Sequence, residues 1–138
     1  VTRHELINPA ELGAPKGYSH GVLAGPGRML FVAGQIGGDE GQALDSRDFV
    51  GQLARALRNV VSVVRQAGGE PCDLVRLTIY VTDKSEYLRD LREVGRAYRT
   101  VIGRHFPAMA LVEVSGLLEP GAKVEVEATA VIPERRDA

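Results

Sequence analysis

Tryptophan is absent from this chain, and only three phenylalanines and four tyrosines are spread over its 138 residues. A basic surface interleaved with aromatics, the usual platform for single-stranded nucleic acid, has little to be built from. Charge of one sign is also missing: 17 Lys and Arg stand against 18 Asp and Glu, leaving a net charge of -1. No overall field therefore recruits nucleic acid or a membrane surface. The single cysteine, Cys72, excludes an internal disulfide and any metal centre built from clustered thiolates. It lies between Pro71 and Asp73 in a turn, where an acidic neighbour disfavours the thiolate, so it reads as inert. No run approaches the roughly 18–20 apolar residues of a membrane-spanning helix. Residues 1–17 are polar, hold Pro9 and Pro15, and lack the charged-then-apolar order of an export leader. The expectation is a reduced, cytoplasmic protein with no membrane partner and with nucleic acid disfavoured.

Several chemistry-bearing patterns are missing as well. The glycine-rich stretches Gly25–Gly27 and Gly34–Gly41 have neither the Walker lysine nor the GxGxxG order before a helix. His4, His20 and His105 are scattered without ligand spacing, so no metal or cofactor is expected.

What is present suits one domain with one core. Residues 1–17 read as an irregular lead-in and 133–138 as a tail. Tyr18–Ala24 and Arg28–Gly34 read as strands joined by a turn at Gly25-Pro26-Gly27. A loop follows at Gly37–Gly41. Asp45 can cap a helix whose apolar positions are Val50, Leu53, Ala54, Leu57, Val60, Val61 and Val64, with Gly68 placed to end it. Leu74–Thr82 alternates as a strand, with Val75, Leu77, Ile79 and Val81 on one face. Asp83 and Glu86 resemble a capping box opening a second helix, with Leu88, Leu91, Val94, Tyr98, Val101 and Ile102 as its buried stripe and Gly103 at its end. Strands at Ala108–Ser115 and Lys123–Ile132 flank Gly116–Gly121. The order β-β-α-β-α-β-β argues an α+β fold: one mixed sheet with two helices on one face.

Two helices cover one side of a sheet, yet the strands are apolar on both. Ala110, Val112 and Val114 oppose Met109 and Leu111, and Met29 and Phe31 oppose Leu30 and Val32. A second apolar face needs a second cover. With no further element in the chain, another copy of the protein is the expected cover.

Three groups of residues are candidates for chemistry. Glu125 and Glu127 are two apart on a strand and share a face, joined there by Lys123. The plain reading is a solvated, salt-bridged stripe. The functional one is that a carboxylate, partly desolvated at an interface, positions water and shuttles a proton. Tyr18 and His20 also share a strand face, either as ordinary packing and polar residues or as a phenol and imidazole at a pocket mouth. Arg89, Arg92, Arg96 and Arg99 run down one flank of the second helix. With Glu86, Asp90 and Glu93 beside them, a solvated face is the better reading than a phosphate-binding one.

Five segments in order resemble the RidA (YjgF) family, from Tyr18 to about Ile132. Gly17-Tyr18-Ser19-His20-Gly21 is similar to its Gly-Pro-Tyr-Ser-Gln segment, and Phe31–Ile36 to its Ser-Gly-Gln-Ile strand end, with Ala33 for serine beside Gly34. Val75–Val81 with Asp83 looks like its central strand. Phe106-Pro107-Ala108-Met109-Ala110-Leu111-Val112-Glu113-Val114 and Lys123–Ala128 match its two signature strands. The resemblance implies a chorismate-mutase-like homotrimer with a small-molecule ligand in each of three clefts between subunits. In deaminating members a cleft arginine grips the substrate carboxylate, and a glutamate on the last strand holds the water that attacks an imine carbon. Glu125 aligns with that glutamate and Tyr18 with the pocket tyrosine. Met109 stands at the arginine position, Leu111 at a cysteine position, and Gly95 where an asparagine is common.

Removing one partner of a buried ion pair costs about 3–5 kcal/mol, roughly a hundred- to several-thousand-fold in binding. Small carboxylated imines are therefore not the expected substrates. Three functional readings stand. One is a hydrolase of a less polar imine or enamine, with Glu125 handling water, Tyr18 and His20 orienting the substrate, and Met109 and Leu111 as an apolar wall beside Ala33 and Gly34. Another is a trimeric binding or sensing protein without turnover. The third, an endoribonuclease or translation inhibitor, fares worst on charge.

Overall fold

The computed structural model describes residues 4–38, 44 and 47–134; Asp45, the expected helix cap, and the end of the tail lie outside them. Helix α1 (Phe49–Gln66) begins instead at Asp48, whose carboxylate accepts the Gly51 N–H at 3.0 Å. It buries Phe49, Gln52, Leu53, Ala56, Leu57, Val60, Val61 and Val64, a stripe repeating every three or four residues. Gly68, at φ 88°, ends it: its N–H donates to the Arg65 carbonyl at 3.0 Å and the Gly69 N–H to Val64 at 2.9 Å.

The lead-in is not wholly irregular. It contains strand β1 (Glu5–Ile7), which pairs antiparallel with β2 (Gly21–Leu23), so the expected pairing of residues 18–24 with 28–34 does not form. The buried His4 ring explains the choice. Its Nδ1 accepts the Gly25 N–H at 3.0 Å and its Nε2 lies 3.0 Å from the Val131 carbonyl. The turn's backbone donor thus binds the lead-in instead of closing a hairpin.

Strand β3 (Arg28–Ile36) pairs with the last strand of the chain. The main sheet has β4 (Leu74–Val81), β5 (Ala108–Glu113) and β6 (Val124–Ile132) in the order β3-β6-β4-β5. Only the β4–β5 pair is parallel. Although β5 and β6 are consecutive, β4 lies between them. The central β6 points Val124, Val126, Ala128, Ala130 and Ile132 into the core beneath α1.

The second expected helix is two: α2 (Lys84–Arg89) and α3 (Leu91–Val101), broken at Asp90 with φ -120° and ψ 40°. Asp83 caps α2 by accepting the Ser85 N–H at 2.9 Å. Glu86 does not complete a capping box; its carboxylate binds Lys123 Nζ at 2.8 Å and 3.1 Å. The break puts the two halves out of phase, so Leu88 and Leu91, expected in the buried stripe, are 57% and 51% exposed. The helices pack on one sheet face only. On the other, Met29 is 61%, Phe31 72% and Val112 42% exposed.

Candidate functional site

The parallel ladder pairs Leu77 with Met109 and Ile79 with Leu111. All four side chains therefore lie on the helix side of the sheet. There, between β5 and the α2–α3 pair, is a cavity of about 580 Å³ whose walls include Tyr18, Leu53, Ile79, Gly95, Met109 and Leu111. The chain before β2 runs past the start of β5 to deliver Tyr18. The Ser19 N–H donates to the Pro107 carbonyl at 3.0 Å and its hydroxyl to Phe106 at 2.5 Å. Behind Tyr18, Tyr98 stacks on Phe106 at 5.4 Å and donates its hydroxyl to the His105 carbonyl at 2.6 Å. Burial holds the Tyr98 phenol well above its ordinary range. The lining side chains are mostly apolar, the polar ones being phenols and two cations, Lys16 and Arg99.

The carboxylates face the other way. Glu125 and Glu127 alternate with the core residues of β6 and stand on the open sheet face, opposite Tyr80 and Thr78 of β4. Tyr80 donates its hydroxyl to Glu127 Oε1 at 2.6 Å. That hydrogen bond, with desolvation and the nearby negative charges, raises the Tyr80 pKa. Between Val32 and Gln35 the β3–β6 register slips by one residue, a bulge that contains Ala33 and Gly34. The Glu125 carboxylate lies against Gly34 so closely that a Cβ there would collide with it. A bare stretch of backbone thus cradles this carboxylate. Lys123 does not join the two acids; it is held by Glu86.

One chain brings Tyr18, Met109 and Leu111 to the cavity and Ala33, Gly34 and Glu125 to the open face, and it does not bring the two groups together. His20 belongs to neither. Its Nε2 donates to the Gly13 carbonyl at 3.2 Å, its backbone N–H to Asn8 Oδ1 at 2.7 Å, and its ring packs edge-on against Tyr18 at 5.3 Å. It buttresses the tyrosine. Sequence reading passes over Tyr80 and leaves Arg99 on a solvated helix flank. Tyr80 is signalled only by the polar alternation Thr78, Tyr80 opposite Leu77, Ile79. Arg99 is signalled only by its spacing of four from Gly95.

A family model described as endoribonuclease L-PSP matches residues 9–132. Protein DfrA of Myxococcus xanthus is 36% identical over 126 residues, 86% of this chain and 89% of that protein. The 2-iminobutanoate/2-iminopropanoate deaminase of Salmonella typhimurium is 34% identical over 126 residues, 89% of this chain and 91% of that enzyme. Among solved structures, the Rid-family protein YyfB of Yersinia pestis, of unknown function, superposes with a TM-score of 0.85 at 31% identity, covering 95% of this chain and 100% of that one. The same α+β sheet and the same order of segments recur over nearly the whole chain, which therefore belongs to the endoribonuclease L-PSP family, the RidA/YjgF proteins.

Proposed function

We propose that this protein binds a small metabolite in clefts between subunits and hydrolyses an imine or enamine, releasing ammonia, with Glu125 holding the attacking water. The observation that carries this reading is the Glu125 carboxylate resting on the bare backbone of Gly34 in the β3 bulge. An acid held there keeps one oxygen for water, and no side chain at 34 blocks a small ligand from approaching. Relatives named as imine deaminases, in bacteria and in human, support the reaction class.

Completion of the site needs a second copy. In a homotrimer, the open face of one chain packs on its neighbour and carries Glu125 toward the neighbour's Tyr18–Met109–Leu111 cavity. Tyr18 then orients the substrate and the two aliphatic side chains form its wall. Met109 offers no charge to a substrate carboxylate at the position where the family resemblance implies an arginine. The competing reading, binding without turnover, draws on that same residue.

Ammonia release from a panel of oxidase-generated imines separates the two. Glu125→Gln is expected to slow release about 100-fold, the usual loss for a positioned acid–base group. Turnover indifferent to that substitution removes Glu125 from the mechanism. Absence of release from every substrate, with ligand still bound, leaves the binding protein.

A further inference from the structure

We propose that Arg99 supplies the ligand-gripping cation that position 109 lacks, and that the cavity selects a carboxylate carrying a bulky apolar body. This rests on the cavity being the ligand site of the proposed function. Gly95 and Arg99 are four apart on α3 and so lie on one face of the helix, a turn apart. Both line the cavity. Because residue 95 has no side chain, the guanidinium folds back over it. A Cβ at that position would stand 3.0 Å from Arg99 Nη1 and 3.9 Å from Cζ. A methyl there would press on the guanidinium, which rests in the space glycine leaves open.

The charge is also uncommitted. Arg96, one turn back, is paired with Glu93 at 3.7 Å, and Lys123 with Glu86 at 2.8 Å. Among the described residues neither Arg99 nor Lys16 has a carboxylate partner, and no Asp or Glu lines the cavity. Two unneutralised cations beside low-dielectric walls focus a positive potential into the opening. A guanidinium presents a planar fork of donors that fits a carboxylate with two hydrogen bonds.

Size sets the rest of the ligand. The cavity, about 580 Å³, falls inside the range of roughly 300–1,000 Å³ typical of pockets for drug-sized ligands. An acid of three or four carbons would leave the Leu53, Ile79, Met109 and Leu111 walls uncovered. A body that reaches them gains their burial while its acid group stays at the mouth with Arg99.

Calorimetric titration with hydrocinnamate, its neutral amide hydrocinnamide, and acetate tests this. Wild-type protein is expected to bind hydrocinnamate about tenfold more tightly than the amide, a preference of the size a charge-assisted pair supplies, and to bind acetate weakly. The preference should vanish in Arg99→Gln and return in part in Arg99→Lys. Added salt should weaken the acid and spare the amide, because Arg99 is exposed. Equal affinity for acid and amide, an unchanged preference in Arg99→Gln, or no binding of hydrocinnamate at millimolar concentration each overturns the proposal. Ammonia release is read separately. Acid binding without turnover of any imine counts against the hydrolytic reading alone, and turnover insensitive to Arg99→Gln counts against this one alone.

Discussion

Phe31→Glu is expected to reduce the particle from an assembly of several chains to one of 14.9 kDa, measured by light scattering at micromolar concentration. Phe31 is 72% exposed in the single chain, beside the exposed Met29 on the open face of the edge strand β3. Covering a side chain of this kind is worth about 1.5–3 kcal/mol. Placing an unpaired carboxylate in the same interface costs several kcal/mol more. At about tenfold per 1.4 kcal/mol, the combined loss weakens each contact on the order of a thousandfold or beyond. The protomer itself should survive, because Phe31 points away from α1 and the core. Circular dichroism therefore serves as the control. Retention of the multimeric mass by a folded Phe31→Glu protein would show that this face is not where copies meet. Loss of mass should also remove ammonia release, since in one chain Glu125 and the Tyr18–Met109–Leu111 cavity lie on opposite faces of the sheet.

The proposed dependence on a second copy marks the boundary of what can be read from sequence. Alternation along β5 and β6 correctly assigns Met109 with Leu111 to one face and Glu125 with Glu127 to one face. It cannot say that the two pairs lie on opposite sides of the same sheet, because that sign depends on which side the helices choose. Local signals carry over well. The α1 stripe, the Asp83 cap, and the closing glycines Gly68 and Gly103, at φ 88° and 90°, are decided by neighbours within a turn or two. Strand order is decided by partners far away. Pairing β2 with β3 is the expectation from a short turn, yet β1 takes β2 through His4 and β6 takes β3. The break at Asp90 is similarly hidden, since the apolar spacing of the second helix continues past it. Arg99 shows the limit most plainly. In the sequence it is one of four arginines on a helix flank, and only the fold shows its guanidinium lying over Gly95 at the cavity.

Gln52→Leu is expected to lower the melting temperature by roughly 10 °C and to reduce any activity that uses Glu125, although residue 52 touches no candidate ligand. Gln52 sits within the apolar stripe of α1 and is fully buried. Its Nε2 donates to the Gly121 carbonyl at 3.1 Å and its Oε1 accepts the Lys123 N–H at 2.8 Å. Both partners lie in the short segment that leads into β6, four and two residues before Glu125 itself. The amide thus fixes the entry of the central strand against α1, and with it the height at which Glu125 meets the Gly34 bulge. Leucine matches the apolar surroundings but leaves that donor and acceptor without their partner, at about 1–3 kcal/mol for each group kept from water. A loss of about 2–4 kcal/mol corresponds to a shift on the order of 10 °C for a domain of this size. Gln52→Met, equally unable to bond but closer in shape, should melt at nearly the same low temperature. A Gln52→Met protein as stable as wild type would mean that packing, and not the paired amide, holds β6 in place; the Glu125 position would then have to be set from the β3 side alone.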